Sequence, residues 1–189
     1  MMLIVGLGNP GEQLKNTRHN VGREIAMAFQ HAIGCADFRF EKKWNALVSE
    51  GSINKEKLAI LLPETMMNKS GAAIAPAARF FKVKPDSVFV VHDDADIAFG
   101  KAKLSFAKNS AGHKGVESVI RALKTNAFWR FRIGIAGKRD IPAEKLVLKK
   151  FMPEEQKIVK KIGRETLHAI GKAISESPEI AMNEYNKKT

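Results

Sequence analysis

Three short apolar runs constrain this chain more than any other feature. Residues 2–5, 58–62 and 87–91 are almost unbroken hydrophobic stretches, each closed by glycines, a proline or a polar cluster. Runs of this length are too short for helices and lack the polar alternation of half-exposed strands, so they predict strands buried on both faces. Such strands need a layer of helices on each side, and the sequence supplies candidates. Residues 21–33 carry apolar side chains at 21, 25, 28, 29, 32 and 33, a helical spacing that Gly34 stops. Residues 70–81 predict a second helix, with Ser70 as N-cap, Ile74, Ala77, Ala78 and Phe81 inward, and a kink at Pro76. A third is expected around 116–123. A terminal amphipathic helix over about 153–175 has Ile158, Ile162, Leu167, Ile170 and Ile174 on one face. Further strands are expected at 44–49, forming a hairpin with 58–62 around a polar turn at 54–57, and at 101–106 and 131–135. The alternation predicts one α/β domain over residues 1–189, three layers with a mixed twisted sheet flanked by helices.

With 189 residues, 44% apolar and 28% charged, the chain is large enough for one core and unlike disordered, collagenous or solenoid sequences. No apolar stretch approaches the roughly 20 residues needed to cross a bilayer, and MMLIVGLGNPG has neither the basic region nor the apolar region of a leader. A soluble, cytoplasmic protein is the expectation. The single cysteine, Cys35, closes no internal disulfide and has no partner at zinc-ligand spacing. Charge is the outstanding compositional fact. Against 20 acidic residues stand 32 basic ones, a formal +12, and residues 101–141 hold 10 of the basic and only 2 of the acidic residues. An excess this concentrated points to a polyanionic partner whose phosphates meet that stretch, with Lys103 and Lys108 among the contacting cations.

Several clusters carry chemistry. Gly6–Gly11, GLGNPG, matches the dinucleotide pattern G-x-G-x-x-G after a strand. Pro10 removes an N–H that a pyrophosphate would use, however, and the helix begins ten residues late, so a nucleotide cofactor is not expected. Thr17-Arg18-His19-Asn20 lies between that turn and the first helix, and histidine is the side chain best suited to take a proton near neutral pH. The run His92-Asp93-Asp94-Ala95-Asp96 follows the strand 87–91, and parallel strands would bring it to the same sheet edge as His19. An aspartate accepting from one imidazole nitrogen leaves the other as a base. The same acids are also a conceivable magnesium site, but no phosphate-gripping lysine motif accompanies them, and no metal is expected. Asn68 precedes a helix, where an amide either caps or faces a bound carbonyl. Ser70 and Ser110 would be nucleophiles only with a base beside them, and no G-x-S-x-G elbow is present.

Taken in order, GLGNPG, TRHN with Gly22, MNKSG, HDDAD, and AGHKG followed by RIGIAG resemble the bacterial peptidyl-tRNA hydrolase family from Leu3 to about Phe151. The resemblance implies a monomeric α/β enzyme that needs no metal or cofactor and cleaves the ester between a peptide and the terminal ribose of tRNA. By that resemblance His19 is the base that activates water, and Asp93 orients it. Asn9 and Asn68 hold the peptide end and the attacking water, and Arg132 with the basic stretch from Lys101 grips tRNA phosphates.

The departures from the family pattern fall on substrate-holding positions. A tyrosine after the glycine turn is Leu14 here, the aromatic before the MN pair is Met66, the asparagine of GHNG is Lys114, and a common basic residue is Ser105. Leu14 and Met66 keep apolar bulk but lose a flat ring, and stacking a base is worth about 1–3 kcal/mol. Two readings stand: a working hydrolase with altered substrate binding, or a hydrolase-fold RNA-binding protein with little turnover, like the family's plant organellar relatives. Retention of His19, Asp93, Asn9 and Asn68 favours the hydrolase, because a binder has no need of all four.

Overall fold

The computed structural model describes residues 1–137 and 142–188. Its centre is β1 (Met2–Gly6), hydrogen-bonded in parallel to β4 (Glu56–Pro63) on one side and β5 (Val88–Ala98) on the other. Beyond β4 lie β3 (Ala46–Ile53) and the short β2 (Arg39–Glu41), and beyond β5 lie β7 (Trp129–Ala136) and β6 (Ala102–Phe106), giving the order β2-β3-β4-β1-β5-β7-β6. The four central strands run parallel, and antiparallel strands close both edges. The apolar runs occupy the central strands because only there are both faces covered. On one face α1 (Val21–Ala32), α5 (Pro153–Ser175) and α6 (Pro178–Lys188) cover Ile4, Phe89 and Phe131; on the other α2 (Ser70–Phe80) and α3 (Lys114–Leu123) cover Leu3, Val5 and Val90.

The structure moves several boundaries expected from the sequence, each for a local reason. The hairpin turn is only Asn54-Lys55, both at positive φ (49° and 70°), as a two-residue turn between twisted strands requires, so β4 starts at Glu56. Trp44 lies in the turn before β3 rather than in the strand. The acidic run does not follow β5 but belongs to it: pairing with β7 continues through Asp94↔Gly134 before the register shifts. Ser70 is the first residue of α2 rather than its N-cap, its hydroxyl donating to the Met67 carbonyl at 2.8 Å, and α2 runs unbroken through Pro76. In α5, Ile162, Ile170 and Ile174 are buried, but Ile158, beside the turn at Gly100, is exposed. Polar α6 has no sequence expectation. It is held by Tyr185, whose hydroxyl lies 2.6 Å from that of Thr166, and by Asn186, which accepts from the Leu104 N–H and donates to the Leu104 carbonyl, covering the outer edge of β6.

One glycine fixes where α1 sits on the sheet. A Cβ on Gly22 would lie 2.1 Å from the carbonyl oxygen of Val91 in β5, so only glycine lets the first turn of α1 rest on that strand. Because the obstacle is backbone, Gly22→Ala is expected to destabilise the fold by about 3 kcal/mol in urea denaturation, with α1 displaced from β5. A variant as stable as the parent would show that the contact is not tight.

Candidate active site

The carboxyl ends of β1, β4 and β5 open on one edge of the sheet, where a parallel fold gathers functional groups. A cleft of about 410 Å³ lies there, lined among others by Asn9, His19, Met66, Asn68, Asp93 and His113. His19 sits in a single turn, Arg18–Asn20, ahead of α1, and that turn is anchored from outside the sheet. The N–H groups of Arg18 and His19 donate to the carbonyls of Lys149 and Val147 at 2.9 Å each. The buried Arg18 guanidinium donates to both oxygens of Glu155 at 2.8 and 2.7 Å and lies over the rings of Phe151 and Phe99. Burial alone would raise the Glu155 carboxyl, but the bonds from Arg18 and from the Met152 N–H hold it below its usual value.

Asp93 joins the two sides of the cleft. Its Oδ1 lies 2.8 Å from His19 Nδ1 and 2.9 Å from His113 Nε2. The ring of His113 has its other nitrogen committed: Nδ1 accepts from the N–H groups of Gly115 and Val116 at 3.1 and 3.2 Å, capping α3. A nitrogen that accepts two amide protons carries none of its own, so the proton of neutral His113 is on Nε2 and is donated to Asp93. Burial would raise the Asp93 carboxyl, yet the two imidazoles hold it far below the carboxylate range. An ionised Asp93 has only acceptors, so His19 donates to it from Nδ1, and in the neutral ring Nε2 then keeps a lone pair. His92, beneath them, is fully buried and close to His113, and burial followed by that neighbour holds it well below the imidazole range, hence neutral. His113 also explains why α3 starts at Lys114, two residues before the helical periodicity.

The two asparagines differ in setting. Asn9 is buried: its N–H donates to Asn20 Oδ1, Asn20 Nδ2 donates back to its carbonyl, and its Oδ1 accepts from the Met67 N–H at 2.8 Å. Only its Nδ2 is left for a group in the cleft. Asn68 is exposed on the rim, in the turn Met67–Lys69. Met66, 55% exposed, forms with Leu148 and Val147 an apolar wall of the mouth. Across the mouth Lys114 Nζ lies 3.2 Å from Glu144 Oε1, an exposed pair between α3 and α4 (Ala143–Leu146). Leu14, half-buried in the turn Glu12–Leu14, is not part of the lining.

The basic residues lie beyond the cleft, around β6 and β7. Lys103 and Lys108 are exposed, while Arg132, opposite Lys103 in the strand register, has its Nε bonded to Asp94 Oδ2 at 2.7 Å. Arg130 is buried and donates to the Asn109 carbonyl at 2.8 Å, tying down the loop that carries Ser110–His113; burial and neighbouring Arg132 push it down to about 10, still charged at neutral pH. Ser105, the other departure, is buried opposite Arg130.

The arrangement bears on the alternative chemistries. Neither serine hydroxyl bonds a histidine among the described residues, since Ser70 is spent on Met67 and Ser110 only lines the cleft. The three aspartates of HDDAD do not converge: Asp93 is taken by imidazoles, Asp94 by Arg132 and the Asp96 N–H, and Asp96 is exposed. His19, Asp93 and His113 place three ligand atoms within 4.8 Å of one another, but a cation there would have to displace both imidazole bonds to Asp93. His113 is absent from the residues singled out above. Its signal, a histidine just before a helical pattern within AGHKG, is that of an unusual helix cap.

An imidazole hydrogen-bonded to a buried carboxylate, with amides around the cleft, is the kind of constellation that suits a hydrolase. The comparisons give the family. The peptidyl-tRNA hydrolase model matches residues 3–189, which includes the C-terminal helices, and the chain belongs to that family. It is 36% identical over 186 residues to the peptidyl-tRNA hydrolase of Caldanaerobacter subterraneus subsp. tengcongensis, covering 98% of this chain and 100% of the relative. With the enzyme of Mycobacterium tuberculosis it shares 38% over 185 residues, covering 96% and 95%. The crystal structure of peptidyl-tRNA hydrolase from Acinetobacter baumannii superposes with a TM-score of 0.92 at 28% identity, covering 98% of this chain and 94% of the other. No described helix is long and apolar enough to cross a membrane.

Replacing Glu155 by glutamine tests the anchoring of the His19 turn. The Glu155 carboxyl is depressed in the folded state, so its contribution is present above the unfolded carboxyl range and is lost as pH falls through the folded value. Glu155→Gln is expected to lose roughly 1–2 kcal/mol at neutral pH, with the gap narrowing in acid. A gap that does not narrow at all as the pH is lowered below the ordinary carboxylate range would assign the effect to something other than the ion pair.

Proposed function

We propose that this protein hydrolyses the ester between a peptide, or an N-blocked amino acid, and the terminal ribose of tRNA, with His19 as general base. The single observation that carries the reading is the proton arrangement around Asp93. His113 is fixed by its helix cap to donate, and His19 donates from Nδ1, so His19 Nε2 is a lone pair set in the cleft wall. A water bonded to Nε2 gives up its proton as its oxygen attacks the ester carbonyl, and Asp93 stabilises the imidazolium that forms. The same imidazolium returns the proton to the departing ribose oxygen. Nδ2 of Asn9 is the donor suited to the peptide carbonyl, and Asn68 on the rim suits the attacking water or the peptide backbone.

The setting of the substituted positions supports altered binding in preference to lost chemistry. Met66 and Lys114 are exposed side chains that line the cleft without bonding His19 or Asp93, and Leu14 is outside the lining altogether. Lys103, Lys108 and Arg132 lie around β6 and β7, where the acceptor end would rest, and with Arg132 held by Asp94 the exposed lysines are the ones free to meet phosphates.

His19→Ala is expected to abolish hydrolysis of N-blocked aminoacyl-tRNA, a loss of at least about 100-fold in kcat, while leaving tRNA affinity within twofold. Tight RNA binding by a parent protein that shows no turnover above background would instead establish the RNA-binding reading. Charge reversal at Lys103 and Lys108 together should weaken tRNA binding and reduce the slope of log Kd against log salt by about 2; an unchanged slope places the phosphate contacts elsewhere.

A further inference from the structure

Two segments far apart in sequence carry the same pattern of cations interleaved with aromatics, and the fold brings them together. Lys42-Lys43-Trp44 lies in the turn between β2 and β3, and Arg79-Phe80-Phe81-Lys82-Val83-Lys84 runs off the end of α2. Their rings meet: Trp44 is 5.1 Å from Phe80 and 5.3 Å from Phe81 between centroids, and Phe80 and Phe81 are 5.1 Å apart, edge to face. Trp44 is buried and Phe81 half-buried, so they form a floor, while Phe80 is 62% exposed, the most exposed large apolar side chain among the described residues. Lys42, Lys43, Arg79, Lys82 and Lys84 are all exposed around it, and none forms an ion pair among the described residues. Of the carboxylates beside them in sequence, Glu41 faces Arg39 and accepts from the Lys43 N–H, and Asp86 accepts from Ser87.

This combination selects its partner. An apolar protein surface would have to desolvate five uncompensated cations. An anionic membrane suits the cations, but interfacial anchoring draws on a broad apolar face and here one ring protrudes. RNA offers both requirements at once, phosphates for the cations and a flat base for the ring. The position is also informative. Ten helical steps of about 1.5 Å each put Phe80 roughly 15 Å along α2 from Ser70, which is two residues from Asn68 in the cleft. Lys103 lies on β6, at the opposite edge of the sheet from β2 and β3.

We propose that Phe80, with Lys42, Lys43, Arg79, Lys82 and Lys84, is a second RNA-binding surface that stacks an unpaired base in the body of the substrate tRNA, gripping it on the other side of the cleft from Lys103 and Lys108. The identity of the RNA rests on the hydrolase reading; the surface itself does not. Phe80→Leu keeps apolar bulk but removes the ring face, Phe80→Trp keeps it, and Lys42→Glu with Lys43→Glu reverses charge beside it. Each is assayed on full-length N-blocked aminoacyl-tRNA and on the same ester carried by the trinucleotide CCA. For full-length substrate, KM should rise about fivefold or more in Phe80→Leu and in the charge reversal, with kcat unchanged and Phe80→Trp like the parent. The trinucleotide should show no change in any variant.

Unchanged KM on full-length tRNA overturns the proposal, and so does an equal rise on both substrates, which would mean a disturbed active site. Binding to phosphatidylserine vesicles that Phe80→Leu abolishes, with tRNA kinetics intact, would assign the patch to membrane and overturn it too. If the parent hydrolyses neither ester, the hydrolase reading fails separately. Fluorescence anisotropy with deacylated tRNA then decides the surface: weaker binding by Phe80→Leu sustains it and equal binding overturns it.

Discussion

A single carboxylate oxygen, Oδ1 of Asp93, receives hydrogen bonds from two imidazoles that arrive on different elements. His19 comes from the turn ahead of α1 and His113 from the cap of α3, while Asp93 itself projects from β5. The contact therefore ties one helix on each face of the sheet to a central strand. It also settles protonation without a further group. Because the α3 N-terminus takes the lone pair on His113 Nδ1, that ring can only donate to Asp93, and the ionised carboxylate in turn orders His19. Structure and proton inventory are the same network here.

That network is supported from far along the chain. The His19 turn hangs on the carbonyls of residues 147 and 149, and Arg18 beneath it is held by Glu155 at the start of α5. The C-terminal third thus supports the His19–Asp93 network as well as covering one face of the sheet. The Gly22 contact performs the complementary task, setting the height of α1 above β5 and hence the reach of His19 toward Asp93.

The +12 charge divides into parts with different duties once it is placed in space. Arg18, Arg130 and Arg132 are spent internally, on Glu155, on the Asn109 carbonyl and on Asp94. Lys114 faces Glu144 across the mouth of the cleft. Lys103 and Lys108 stay exposed at one edge of the sheet, and the cations around Phe80 form a separate group on the other. A count along the chain sees the group around Lys103 and Lys108, because it falls in one basic stretch, and passes over the group around Phe80, because its two short segments lie in longer stretches whose acids nearly balance their bases.

The sequence by itself determined the central strands, the amphipathic helices and the mixed sheet, because burial on two faces or one leaves a periodicity that local residues record. It also determined the family motifs that place His19, Asp93, Asn9 and Asn68. Other features were decided only by tertiary structure. The acidic run lies inside β5 because β7 pairs with it, and polar α6 is a helix because Tyr185 and Asn186 find Thr166 and Leu104. His113 joins the site because the fold sets α3 against β5, and Trp44 meets Phe80 across 36 positions of chain. Long-range pairing leaves no local period, so hydrogen-bond partners, the atoms that carry the protons and surfaces built from two segments exist only once the chain has closed on itself.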